Sequence, residues 1–107
     1  MTLMIILSVL YPKTTESKFD VDYYLETHIP LVRSRWSGMG LQKVDLIHGA
    51  AALDGGMPSY EVIGQLTFES EESLGRALRQ YGSEIIADIP KFTDVQPIIQ
   101  TCKVLPV

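Results

Sequence analysis

Several residue types are scarce in this chain, and each scarcity disfavours a class of protein. Cys102 is the single cysteine among 107 residues, which excludes an internal disulfide and any multi-cysteine metal site. The 9 Lys and Arg residues form no stripe and the formal net charge is -4, so nucleic acid is not an expected partner. No apolar run is long enough to span a bilayer, so no membrane association is expected.

The first residues, MTLMIILSVLYP, are apolar but lack the basic lead and the small-residue cleavage site of a signal peptide. We therefore interpret them as a strand of the mature protein. A single free cysteine is typical of a reducing compartment, and the expected location is the cytoplasm.

What the chain does have is apolar side chains, at 46% of its residues. A chain of 107 residues is expected to form one domain, residues 1–107, that buries roughly two thirds of its unfolded surface. With so many apolar residues, both faces of any sheet are expected to be covered, one of them by a second chain.

Hydrophobic periodicity predicts four strands and two helices. The strands are expected at residues 3–11, 41–52, 60–68 and 95–104. The helices are expected from Asp20 to about Gly38 and from Ser70 to Gly82, the second followed by a short helical turn that stops at Pro90. The order β-α-β-β-α-β predicts an α+β, ferredoxin-like fold, with a four-stranded antiparallel sheet and both helices on one face.

Two helices leave one sheet face uncovered, and that face is expected to carry aliphatic side chains such as Ile63 and Ile98. Packing sheet on sheet in a homodimer would cover it.

The first helix carries an unexpected residue on its apolar stripe. Steps of three and four place His28 on the same face as Val21, Leu25 and Val32, directed at the sheet. Pro30 follows two residues later and cannot donate its amide, so the helix is expected to bend or loosen there and open room beside the imidazole.

His28 is the first candidate catalytic residue, because imidazole exchanges protons near neutral pH. A buried neutral histidine bonded to a carbonyl is the alternative interpretation. Tyr24, one turn earlier, can orient the ring or bind a ligand oxygen, or it is simply a core aromatic. His48 in the second strand is expected either to enter the same cleft as an acid/base partner or to lie at a strand end. Tyr23 is interpreted as a packing residue.

Other polar residues are weaker candidates. Arg35 is expected either to bind a carboxylate or to stabilise the end of the helix, and Cys102 is interpreted as a packing residue. Two histidines without a defined carboxylate partner are too few for a metal site. The sequence GMGLQK, residues 38–43, lies after a helix and before a strand, the reverse of a dinucleotide fingerprint, so no cofactor is predicted.

The chain resembles the EthD family over almost its whole length. The resemblance is carried by the YP that ends the first strand, by the spacing of Phe19, Tyr23, Tyr24, His28 and Pro30, and by DIPKF at residues 88–92. It implies a dimeric α+β barrel and a site histidine on the first helix. The named member is tied to bacterial degradation of a fuel ether alongside an oxygenase system, and some members carry an oxidoreductase or reductase label.

Three functions remain open from the sequence. The first is cofactor-free acid/base chemistry of the isomerase, cyclase or lyase type on a small, mostly apolar organic molecule, with His28 as acid or base and Tyr24 and His48 assisting. The second is a non-catalytic accessory protein that binds such a ligand for an oxygenase pathway. The third is a dimeric sensor or scaffold without a pocket.

Overall fold

A computed structural model describes residues 3–106 of the chain. Four strands form one antiparallel sheet, with bounds β1 Ile5–Pro12, β2 Leu41–His48, β3 Tyr60–Phe68 and β4 Ile98–Cys102. Their order across the sheet is β2-β3-β1-β4, and both helices pack on one face. The predicted ferredoxin-like α+β fold is confirmed. Strands β2 and β4 are shorter than predicted, while β3 has the predicted bounds.

The first helix has three consecutive parts instead of one regular spiral. An α-helical turn at Val21–Tyr23 leads into a π-helical turn at Tyr24–His28 and then into an α-helix at Ile29–Trp36. The Ile29 amide donates to the Tyr24 carbonyl, five residues back, which widens the helix just before Pro30. The predicted loosening beside the proline thus takes the form of a π turn, and Tyr24 and His28 are its buried residues.

The second helix, Glu71–Asp88, is longer than predicted. Ser70 caps it, its Oγ accepting from the Ser73 amide, as the sequence indicated. The prediction that Gly82 ends it is wrong, because the helix continues for six residues past the glycine. Gly82 does not adopt the left-handed conformation of a helix-ending glycine, which Gly40 does after the first helix. Ala77, before the glycine, and Ile85, after it, are both buried. Their packing in the core stabilises the helix on either side of Gly82.

The core between the helices and the sheet consists of two clusters. One surrounds Trp36, whose Nε1 donates to the Ala77 carbonyl at 2.9 Å and so joins the two helices. The other surrounds Tyr11, Tyr24 and Phe92 and is largely aromatic. Among residues 3–106, no helix combines the length and apolarity needed to cross a bilayer.

Candidate functional site

A cavity of about 130 Å³ lies between the sheet and the two helices. Its walls are mostly aliphatic, and the sheet, the first helix and the second helix each contribute to them. Apart from Trp36, whose Nε1 is bonded to Ala77, the polar side chains among its lining residues are Tyr11, Tyr24 and His28. The chain therefore encloses an apolar space bordered by three groups that can hydrogen-bond or exchange protons.

His28 borders this cavity from the π turn and is only 3% exposed. Its Nδ1 lies 2.9 Å from Oδ2 of Asp88, the last residue of the second helix. Its ring also contacts Phe92, with centroids 4.6 Å apart, and stacks on Tyr24. Aromatic packing and one carboxylate together fix the orientation of the imidazole.

Asp88 joins the two helices through a second hydrogen bond. The Tyr23 hydroxyl donates to its Oδ1 at 2.9 Å, while Lys91 lies 3.7 Å from the same oxygen. Tyr23, predicted to be a packing residue, is therefore part of a hydrogen-bonded chain from Tyr23 through Asp88 to His28.

Opposing effects set the protonation of the His28–Asp88 pair. Burial lowers the pKa of His28 below its ordinary value, and the hydrogen bond and charge of Asp88 offset this only in part. Burial would raise the pKa of Asp88, but hydrogen bonds from His28 and Tyr23 and the nearby positive charges bring it below its ordinary value. At neutral pH the pair is a neutral imidazole beside a carboxylate, so Nδ1 carries the hydrogen and donates it to Asp88.

The other ring nitrogen of His28, Nε2, has no protein partner within residues 3–106, and the cavity is the space that His28 borders. No fully buried polar side-chain atom in that range is left unpaired, so Nε2 reaches open space. The hydroxyls of Tyr11 and Tyr24 also make no hydrogen bond within that range, and both residues line the cavity.

Both tyrosines remain protonated at neutral pH, because burial raises the pKa of each above its ordinary value. The Tyr24 hydroxyl has room because residue 64 of β3 is glycine, where a Cβ would lie 3.0 Å from that oxygen. The site thus presents one base and two hydroxyl donors.

The structure brings Tyr24 and His28 together but places His48 elsewhere. His48 is the last residue of β2, is exposed, and its Nε2 lies 2.7 Å from Oε2 of Glu61, which also pairs with Lys13. It does not line the cavity. The prediction of two histidines across one cleft is corrected accordingly, since the strand ends at His48 and a hydrogen bond to Glu61 holds the ring at the sheet margin.

The sequence analysis did not identify Asp88 or Tyr11 as site residues. Asp88 is 60 positions from His28 in the chain, and Tyr11 stood at the end of an apolar strand. A usable signal existed for Asp88, because it opens the DIPKF segment that helped to carry the family resemblance.

The remaining polar candidates lie away from the cavity. Arg35 pairs with Glu84, its Nε 2.8 Å from Oε1, on an exposed surface. Cys102 contacts Ser8 Oγ at 3.4 Å in the sheet. Within the described range, no group of three or more His, Cys, Asp or Glu residues is arranged to hold a metal ion.

Comparison with known proteins supports the family resemblance. The EthD domain family matches residues 12–96. The fold is similar to that of an EthD-like protein from Ralstonia eutropha JMP134, with 30% identity and a TM-score of 0.89 over 99% of this chain and 96% of that one. An EthD family protein from Bacillus halodurans C-125 is 19% identical, with a TM-score of 0.71 over 96% of this chain and 100% of its own.

A more distant similarity shows the fold alone. A protein described as dimeric and ferredoxin-like, from an uncultured marine organism, is 12% identical, with a TM-score of 0.55 over 100% of this chain and 99% of its own. The comparison with curated proteins gives no match. Since the family match covers most of the chain and the Ralstonia protein matches along nearly its full length, this protein belongs to the EthD family.

Proposed function

We propose that this protein binds a small, mostly apolar organic molecule in the cavity beside His28 and performs cofactor-free proton transfer on it. The observation that carries the proposal is the orientation of His28. Asp88 holds its Nδ1, which leaves the unprotonated Nε2 bordering an apolar cavity. A base held in this way needs no reorganisation before it accepts a proton.

The reaction class follows from the polar groups at the cavity. His28 Nε2 removes a proton from a carbon next to a carbonyl, and the electron pair moves to the carbonyl oxygen. The hydroxyls of Tyr24 and Tyr11 donate hydrogen bonds to the enolate oxygen. Asp88 stabilises the imidazolium that forms, and His28 returns the proton to another atom of the same molecule. Isomerisation, ring opening by elimination and aldol-type cyclisation can each begin with this step.

The cavity limits the size of the part of the ligand that it holds. An engineered protein cavity of about 150 Å³ accommodates benzene. The cavity of about 130 Å³ here therefore suits a compact ring or a branched aliphatic group of similar size. Its apolar walls favour a ligand with one oxygen near His28 and otherwise few polar groups.

Solvent deuterium exchange tests the proposed chemistry directly. Small cyclic ketones and lactones in D₂O are expected to exchange the hydrogens next to their carbonyl faster with the protein present, as followed by NMR. His28→Gln is expected to lower the protein-dependent rate by about 10²-fold or more. His48→Gln, which alters the exposed histidine, serves as the matched control and is expected to keep the rate. Equal rates for the His28 variant and the wild type would remove His28 from the chemistry.

A second candidate is an accessory protein that binds an apolar intermediate for a partner oxygenase. The mostly aliphatic cavity wall favours it, because binding alone needs no base. Saturable ligand binding, with no deuterium exchange for any carbonyl compound, would support this candidate against the first. A scaffold with no pocket is disfavoured by the cavity itself.

We further propose that the protein is a cytoplasmic homodimer that pairs through the open face of the sheet. Four aliphatic residues form one row across all four strands on that face: Ile47, Ile63, Leu10 and Ile98. The outer two are about half exposed, at 51% for Ile47 and 49% for Ile98. A second copy would cover this row, and the distant marine relative is itself described as dimeric.

A further inference from the structure

A second, larger space adjoins the cavity beside His28. A groove of about 460 Å³ lies outside it, along the segment between the second helix and β4. Ile86, Ile89 and Ile99 line both spaces, so these three side chains form the boundary between the cavity and the groove. Ile86 and Ile99 are half exposed, which is unfavourable for such large aliphatic side chains unless something covers them.

The chemistry of the groove differs from that of the cavity. Pro90, Val95 and Pro97 give it apolar walls, while Thr93, Asp94 and Gln96 add polar groups. Asp94 uses Oδ1 to accept from the Lys18 amide at 2.9 Å. Its Oδ2 and the Gln96 side-chain amide have no hydrogen-bond partner within residues 3–106, so both are available to a ligand.

We propose that the cavity and the groove form a single binding site for one elongated molecule. Its compact head, which carries the reacting oxygen, occupies the cavity beside His28. Its linear tail passes between Ile86, Ile89 and Ile99 and lies in the groove, ending in a hydrogen-bond donor or an ammonium group near Asp94. The inference rests on the function proposed for the cavity, and it adds the shape of the ligand and the charge of its far end.

The sign of charge in the groove supports this choice of tail. Asp94 contributes a carboxylate, and no lysine or arginine is among the groove's described lining residues. A cationic or donor group is therefore favoured there, whereas a carboxylate tail would meet a like charge. Ile86, Ile89 and Ile99 add affinity by removing the tail's methylene groups from water.

Calorimetric titration with three probes tests the proposal. Phenol represents the head, 4-butylphenol adds an apolar tail, and 4-(4-aminobutyl)phenol adds a charged end. Each tailed probe is expected to bind about tenfold or more tightly than phenol, since a few buried methylene groups suffice for that difference. The perturbation of the His28 ring signals in NMR spectra reports independently whether the head occupies the cavity.

Two charge variants locate the tail. Gln96→Lys places a positive charge in the groove, and Gln80→Lys places the same charge on an exposed part of the second helix outside both spaces. Gln96→Lys is expected to weaken 4-(4-aminobutyl)phenol about fivefold and to leave phenol unchanged. Gln80→Lys is expected to leave all three affinities as in the wild type.

The outcomes separate the two proposals. If phenol binds and perturbs His28 but the tails add nothing, or if both lysine variants weaken the charged probe equally, the two-part site is wrong and the head site stands. If none of the three probes binds to the wild type, the two-part site fails, and deuterium exchange of cyclic ketones and lactones decides the proposed function separately.

Discussion

At residue 28 a single imidazole is surrounded by groups that act on it in opposite directions. Burial against Tyr24 and Phe92 favours the neutral ring, and Asp88 favours the charged one. Burial is the larger effect, and the pKa of His28 lies below its ordinary value. The balance leaves a base that is unprotonated at neutral pH yet has a carboxylate ready to stabilise its protonated form.

Asp88→Asn tests this balance. The amide keeps the size of the side chain but removes its charge, so the imidazolium loses its main stabilising partner. We expect the pKa of His28 to fall further below its wild-type value, as measured by NMR titration of the ring. The His48 ring, bonded to Glu61 and not to Asp88, provides a reference in the same spectra. A pKa of His28 that is unchanged or higher in the variant would contradict the arrangement.

The low pKa of His28 also predicts how stability depends on pH. Between the folded pKa and the unfolded value of about 6.5, the unfolded chain binds more protons than the folded one. The free energy of unfolding is therefore expected to fall as pH decreases below about 7, and the loss is complete once pH passes the folded pKa. Asp88, whose folded pKa is also lowered, adds a further loss at more acidic pH.

Urea unfolding of the wild type and His28→Gln at pH 7.5 and 5.5 measures this contribution. The wild type is expected to lose more free energy of unfolding between the two pH values than the variant does. His48→Gln retains the buried histidine and is expected to behave as the wild type. An equal loss in all three proteins would show that His28 does not titrate differently in the folded state.

Of the His28–Asp88 pair, the sequence analysis identified only His28. Helical periodicity placed His28 on the inward stripe because that signal lies within a few residues. Its partner Asp88 comes from the far end of the other helix, and only the packing of the two helices brings the two side chains together. The position of His48 was missed for the same reason, because nothing in the local sequence indicates that Glu61 holds its ring at the sheet margin.

At the scale of single elements, each helix has one unusual feature where it borders the cavity. The first helix widens into a π turn that contains Tyr24 and His28. The second helix includes a buried glycine, Gly82, in its interior and against the cavity. A glycine in a helix interior costs about 1 kcal/mol relative to alanine. Since Gly82 lines the cavity, a side chain at this position is expected to reduce the cavity volume.

Gly82 also explains why the second helix was predicted too short. A glycine after an apolar stripe is typical of a helix end, and local sequence does not distinguish that role from a buried glycine facing a cavity. The difference arises from tertiary packing, because Ile85 lies in the core beyond the glycine. Strand β4 was predicted too long for a related reason, since residues 95–97 read as a strand but pair with no neighbour.

Gly82→Ala and Gly75→Ala form a matched pair that separates helix stability from cavity volume. A Cβ at Gly82 would lie 3.7 Å from Leu78 Cδ2, an ordinary contact, and one at Gly75 would meet only the flexible end of Arg79. Both variants are expected to raise the free energy of unfolding by about 0.5–1 kcal/mol. Gly82→Ala alone is expected to weaken phenol binding, because its methyl group occupies part of the cavity. Equal affinity for phenol in the two variants would show that Gly82 does not set the cavity size.

At the scale of the whole molecule, the two faces of the sheet differ in what they present. The helices cover one face and enclose the cavity, while the other face presents a single aliphatic row flanked by a polar row of Asp45, Gln65, Ser8 and Gln100. Alternation in the strands predicted that both faces would carry apolar residues. The alignment of the four aliphatic residues in one row depends on how the strands pair, and the sequence of a single strand does not determine that register.

The aliphatic row makes the proposed dimer testable by sedimentation. In the double variant Ile47→Lys/Ile98→Lys, each chain would bring two lysines into the interface, four in the dimer, without neutralising partners in the row. The wild type is expected to sediment as a dimer, and the double variant as a monomer with a dissociation constant at least about 100-fold weaker. Leu53→Lys is the control, because Leu53 is fully exposed in the loop between β2 and β3 and lies outside the row. A monomeric wild type would refute the dimer, and a dimeric double variant would show that the copies meet through a different surface.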